Sequence, residues 1–384
     1  MTTIGLRTGL LALVASLAAS LWQAAPALAR DPATFHYLGE TAGDPADPQG
    51  GPDTPFLVPQ RHWPHWMAAL TAALQKSQPA GATLVQQLLL RAGADHPARL
   101  ALVWDLRDTA DPARGGAMVF EIHDVAIAAD GTVAPAKRLS AEDWLVRIVE
   151  PSGGDPFGTG RPLLFVEFGS GGSGYAGYEL SVLALGAEID EITPRDSGRP
   201  ILAADLQRDG RFALVSSNDR WGNYFRGCGQ CGPLVPVVSV WREGGLAEAC
   251  RDFQAYYEAR MDFSYRAMRS GRERGSIEDF LWNRAELVLN LLQAGRLEEA
   301  AYEYGLMIDE ADGVRRQLGE ARADQPQYRQ GIDSAAAEWL QRVQADFEPL
   351  FRAVGAAADR ACPLQAGEGP ARAYGFVARV NRAR

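Results

Sequence analysis

Between Arg99 and Trp241 the chain strings together short runs rich in Val, Leu, Ile and Phe: ARLALVWDL, GAMVFEIHDVAI, RPLLFVEFG, YELSVLAL, RPILAADL, RFALVSSN and LVPVVSVW. Gly, Pro or Asp turns separate them, and no helical pattern intervenes. A parallel sheet needs a crossover of a dozen or more residues between strands, usually a helix, so this spacing excludes βαβ architecture and predicts antiparallel sheets. Asp130-Gly131 and Asp209-Gly210 carry hairpin signals, because both residue types tolerate positive φ.

The period changes at Leu246. Leu246, Ala249, Cys250, Phe253, Tyr256, Tyr257, Met261, Tyr265 and Met268 fall on one face of a long helix. Leu281–Ala294 and Leu297–Ile308 read as a helical hairpin turning at Ala294-Gly295. Ala335–Ala361 carries a further apolar stripe, in which Pro349 is expected to kink or restart the helix. Upstream, Trp63–Lys76 and Ala82–Ala92 read as short helices. The expected fold is therefore α+β: an antiparallel β domain, propeller-blade-like or built of stacked sheets, followed by an α-helical C-terminal domain. The expected divisions are a β domain over 61–245, a helical domain over 246–362 and a basic tail over 363–384.

Residues 1–29 set the expected compartment. Arg7 precedes an apolar run from Leu10 to Leu21, and Ala27-Leu28-Ala29 offers a small-x-small cleavage pattern. The run is shorter than the ~20 residues a spanning helix needs, so it reads as a cleaved secretory signal, with the mature chain periplasmic or secreted and without a membrane span. Residues 30–60, including GDPADPQGGPDTP, bury too little apolar surface to offset ordering entropy and read as a linker. The formal charge is −10, and Lys76 and Lys137 are the only lysines. That balance argues against nucleic acid as a partner, since phosphate binding relies on clustered cations.

Two stretches resemble known repeats. DLQRDGRFALV, with the preceding LLFVEFGSGGSGYAGYELSVLALG, resembles the strand–loop–strand unit of FG-GAP/VCBS-type β-propeller proteins over roughly Pro162 to Trp241. AELVLNLLQAGRLEEAAYEYGLMI resembles one tetratricopeptide repeat, with Gly295 at the turn and Leu297, Ala300 and Tyr304 following. Both resemblances imply binding scaffolds. The first also implies calcium in an Asp-rich loop of the form D-x-D-x-D-G-x-x-D. Here Asp205 and Asp209 occupy the first and fifth positions, Gln207 the third and Ala213 the ninth. Calcium wants six to eight hard oxygens. The candidate ligands Asp205, Gln207, Asp209 and Asp219 fall short of that, and a plain hairpin is the leading expectation for this loop.

The remaining candidates are sparse. Four cysteines allow three pairings, and structural disulfides are the default for an exported chain. Cys228–Cys231 with Cys250–Cys362 fits best, because Cys250 opens the first long helix and Cys362 closes the last. Redox activity of the Cys228-Gly-Gln-Cys231 pair would call for a following helix, and GPLVPVVSVW reads as a strand; a zinc site is the third reading. His62 and His65 flank Trp63-Pro64 with no nearby residues to complete a metal shell, so they read as part of an aromatic helix start. Neither serine in Gly169–Gly174 has glycine at both −2 and +2, and no Lys-Ser/Thr follows, which excludes a nucleophile elbow and a phosphate loop. Glu142, Asp143 and Glu167 are scattered acids whose meeting in space the sequence leaves open.

The expected function is a non-enzymatic scaffold or binding protein of the cell envelope, contacting an envelope protein or a glycan, with no cofactor unless the Asp205 loop takes calcium. The alternatives are a thiol-disulfide protein using the CxxC pair, a calcium-dependent module, and a hydrolase whose carboxylate pair assembles only in three dimensions.

Overall fold

A computed structural model describes residues 56–58, 60–91, 98–107, 117–128, 130, 132–169, 178–193, 201–218, 221, 224, 232–273, 277–321, 341–355 and 360–364. Among them, strands in chain order form three antiparallel meanders. The first sheet holds β1 (Leu57–Val58), β2 (Thr83–Leu90), β3 (Ala98–Asp105), β4 (Met118–Ile127) and β5 (Val133–Asp143). The second holds β6 (Leu145–Val149), β7 (Leu163–Gly169), β8 (Tyr178–Leu185) and β9 (Ile189–Glu191). The third holds β10 (Leu202–Ala204), β11 (Ala213–Ser217), β12 (Pro236–Arg242) and β13 (Gly245–Glu248). Helix α1 (Met67–Ser77) precedes β2. Helices α2 (Gln254–Glu273), α3 (Ile277–Gln293), α4 (Leu297–Ala321) and α5 (341–355) follow the sheets. The fold is α+β, sheets first and helices second.

Side-chain alternation stacks these elements into layers. Leu89, Leu100, Leu102 and Trp104 face α1 through Met67, Leu70 and Leu74. Their neighbours Leu88, Leu90, Ala101, Val103, Phe120 and Ile122 point the other way, onto Val146, Ile148, Leu164, Val166 and Leu183 of the second sheet. That sheet's other face, with Leu163, Phe165, Val182 and Ala184, packs on Ala203, Leu214 and Trp241 of the third. The third sheet's far face, with Ala213, Val215 and Val238, packs on Tyr257, Met261, Leu281 and Val288 of the helices. The central strands of each sheet are thus covered on both faces, which is why they read as nearly unbroken apolar runs, while the edge strand β5 has no buried residue.

This double burial explains a correction. The helix expected over Ala82–Ala92 is strand β2. Three successive leucines, Leu88 to Leu90, are buried in turn on opposite faces, so the polar half of an alternating pattern is missing and the run mimics a helix. The helical boundary also differs from expectation. Leu246 lies in β13 opposite Trp241, after a turn with positive φ at Glu243 and Gly244. A 3-10 turn over Cys250–Phe253 intervenes before α2 begins at Gln254. The hairpin at Ala294-Gly295 matches expectation, with Gly295 at φ +78. Helix α5 runs unbroken through Pro349 over 341–355.

One regularity was not read from the sequence. Asp155-Pro-Phe-Gly-Thr-Gly-Arg-Pro-Leu-Leu and Asp205-Leu-Gln-Arg-Asp-Gly-Arg-Phe-Ala-Leu stand fifty residues apart and match at Asp, Gly, Arg and the final Leu. Each joins the first two strands of its meander. Gly158 and Arg208 share positive φ (71 and 58), as do Gly160 and Gly210 (76 and 83). Asp155 accepts the N–H groups of Thr159 (2.8 Å) and Gly160 (2.7 Å), and Asp205 those of Asp209 (3.1 Å) and Gly210 (2.9 Å). Leu163 and Phe165 face forward to the third sheet, and Ala213 and Val215 face forward to the helices. The second and third sheets are one structural unit used twice, displaced by a layer.

Candidate functional site

Helix α3 is the floor of the helical layer, with Phe280, Leu287, Val288, Leu289 and Leu292 all buried. Helices α2 and α4 flank it. Their spacing is set at the α3–α4 turn, where Gly295 and Arg296 return N–H groups to Leu292 (3.0 Å) and Leu291 (2.9 Å) in a Schellman-type stop. Gln254 ties this turn to α2, donating to the carbonyl of Ala294 (2.9 Å). Gly295 has φ +78, a backbone conformation in which an L side chain is strained, so this turn favours glycine.

Above Leu291 this arrangement leaves an open cavity of about 400 Å³ between α2 and α4. Glu258, Met261, Asp262 and Tyr265 line it from α2, at the i, i+3, i+4, i+7 spacing of one helical face. Arg296 at the turn and Glu299, Tyr302 and Glu303 of α4 line the other wall. Tyr265 is 42% exposed and Tyr302 67% exposed, while most large rings among the described residues are buried or half-buried. The Tyr265 hydroxyl donates to Glu303, and Glu303 is held from behind by buried Arg284 at 3.1 Å. Partial burial, reinforced by the neighbouring Glu303 carboxylate, pushes the Tyr265 hydroxyl up to about 12. It therefore stays protonated and keeps its ring oriented. Arg296 pairs with Glu299 and reaches Glu258 at 3.7 Å. Its hydrogen bonds hold the Glu299 carboxyl below the usual range. Rings, carboxylates and one shared guanidinium line this surface, a set able to make aromatic contacts and ion pairs.

Asp209-Gly210 is part of a connection over 205–212, longer than a two-residue hairpin turn. Both Asp205 oxygens accept backbone N–H groups, Asp209 accepts the N–H of Arg211 (2.9 Å), and exposed Gln207 donates to the carbonyl of Asp252 (3.0 Å). A cation at this loop would share oxygens that already close it. Asp219, Cys228 and Cys231 lie outside the described residues. Among the described residues, no three His, Cys, Asp or Glu side chains converge in a metal-holding group. Cys250 and Cys362 stand at disulfide distance, Cα atoms 4.9 Å apart across 112 positions, and pin the end of the helical layer to the 3-10 turn that leads into α2. His62 and His65 are exposed, while Trp63 and Trp66 pack against the α1 core. Glu142 and Asp143 lie on β5 opposite Val119 and Met118, and Glu167 on β7 pairs with Arg147.

Sequence reasoning passed over Glu121, which is 2% exposed on β4. It accepts hydrogen bonds from Trp104 (3.1 Å), Gln78 (3.2 Å) and Lys137, and lies 3.1 Å from His123 Nε2. Burial alone would raise its carboxyl. The bonds from His123, Lys137 and Trp104 outweigh burial and hold it at about 2. Gln78 caps the end of α1, so this buried charge clamps α1 to the first sheet. The available signal was Glu121-Ile-His123, two polar residues on one face of an otherwise apolar strand.

Comparison with known protein families, with curated proteins and with solved structures found no match to this chain. Among the described residues, no helix is long and apolar enough to cross a membrane.

Proposed function

We propose that this is an exported, non-enzymatic binding or scaffold protein of the cell envelope, and that the groove between α2 and α4 is its contact surface. The observation that carries the reading is the groove itself: two tyrosines left exposed above a floor that is otherwise fully packed. Exposed rings beside carboxylates are typical of recognition surfaces, where aromatic area contributes affinity and polar groups set orientation. The signal-like segment at residues 1–29 supports export. The stacked sheets supply a rigid support to which the helical layer is fastened.

A photo-crosslinking amino acid at Tyr302, compared with one at exposed Ile127 of the first sheet, tests the contact surface in growing cells. Discrete adducts from position 302 and none from 127 are expected, and absence of adducts from 302 would overturn the assignment. N-terminal sequencing of the envelope-fraction protein tests export. A start near Arg30 is expected, and a cytosolic chain retaining Met1 would remove that half of the proposal.

A further inference from the structure

We infer that the groove between α2 and α4 receives a peptide segment of a partner protein that carries arginine or lysine side chains. This rests on the reading of the chain as a binding protein and names its ligand chemistry. Four carboxylates line the groove against one guanidinium. That guanidinium, Arg296, is already shared between Glu299 and Glu258. Glu303 is neutralised from below by Arg284, so it serves the floor and not the opening.

The solvent-facing carboxylates are Glu258, Asp262 and Glu299, with side chains 64%, 64% and 55% exposed, and Glu258 and Glu299 share the single positive charge of Arg296, which leaves one negative charge of that pair unmatched. Asp262 pairs with Arg266 one turn along at 3.3 Å, an exposed contact of the kind that an incoming cation displaces easily. The two tyrosines complete the match. A guanidinium or ammonium over an aromatic face is attracted by the ring quadrupole. Tyr265 is held in place by its bond to Glu303, so its ring need not be ordered on binding. A volume of about 400 Å³ accommodates one or two long side chains, not a folded domain.

The test uses the full chain and fluorescence anisotropy with a labelled hexapeptide, Arg-Ala-Arg-Gly-Arg-Ala. A citrulline version and a neutral hexasaccharide serve as competing probes. The arginine peptide should bind at least tenfold tighter than the citrulline one, and more weakly as salt rises. Glu299→Gln and Asp262→Asn should each weaken it at least fivefold. Glu188→Gln, at an 80%-exposed acid in the β8–β9 turn, should leave it unchanged. Equal binding of arginine and citrulline peptides would overturn the inference, and so would equal loss on Glu188→Gln, which would mean general attraction to an acidic chain. If the hexasaccharide binds in a Tyr302-dependent way and the arginine peptide does not, the ligand chemistry falls while the binding reading stands. If Tyr302→Ala changes the binding of no probe and position 302 yields no adducts in cells, both fall.

Discussion

Where the three sheets face one another, the contact is mostly aliphatic and aromatic, with Gln86 and Arg99 as polar bridges: Gln86 donates to Ile148 at 3.0 Å and accepts from it at 2.8 Å, and Arg99 donates to the Gly186 carbonyl at 2.6 Å. The helical layer is built differently. Helix α3 alone buries Asn283, Arg284, Glu286, Asn290 and Gln293. Glu286 accepts from Arg260 (2.7 Å), Ser264 (3.1 Å) and the Leu234 N–H (2.9 Å). Gln293 donates to Pro236 (3.2 Å) and accepts from Leu364 (2.8 Å). Apolar area is non-directional, so sheets stacked by it rely on strand alternation to choose a face. Buried polar groups tolerate few arrangements, because each must find its partner. The contrast teaches that the sheets can be duplicated and stacked, as Asp155 and Asp205 show, whereas the helices are docked in one orientation. The groove sits on the part whose geometry is specified most tightly.

The largest expected effect separates the two regions. Replacing Cys362 by Ser opens a closure of 112 positions, and chain-entropy reasoning puts the destabilisation at about 4–5 kcal/mol. Hydrogen exchange should accelerate in α2 and α5 while β3 and β4 keep their protection. Uniform acceleration would show sheets and helices to be one cooperative unit and break the comparison.

A middle-sized effect belongs to the sheets. Because Glu121 is depressed to about 2 from 4.5, its contribution is fully present above the unfolded value. That contribution fades as pH falls from about 4.5 through about 2, and it amounts to about 3 kcal/mol. Urea unfolding of the native chain should therefore lose stability across that window, and Glu121→Gln, already weaker at neutral pH, should lose less. Parallel losses in the two proteins would remove Glu121 as the source.

The smallest effect compares the repeated loops. Asp155 also accepts from the Thr159 hydroxyl (2.9 Å), so Asp155→Ala should cost about 1–2 kcal/mol and Asp205→Ala about 0.5–1 kcal/mol. Urea midpoints decide the order. A reversed order, or a calcium-induced rise in Tm that Asp205→Ala abolishes, would show that the two loops share a backbone but not a chemistry.

Residues with local signals were legible. The strands β3, β4, β7, β8, β10, β11 and β12, the α3–α4 hairpin and the Cys250–Cys362 pairing all follow from features visible along the chain. Strand β2 was misread because its leucines serve two layers at once. The sheet membership of Leu246 was hidden because Leu246, Ala249, Cys250 and Phe253 also satisfy a helical period. The Asp155 repeat was present in plain residues, but only a shared backbone conformation made four identities meaningful.

Alternation, turn residues and helical period determined which segments become strands and helices, because those preferences act between residues a few positions apart. Tertiary structure alone decided what those segments meet. Glu121 is charged inside the protein because Gln78, Trp104 and Lys137 converge on it, and the groove exists because Glu258 and Tyr302, on different helices, are brought to face one another. Packing and electrostatics depend on distance through space, and separation along a chain does not set that distance.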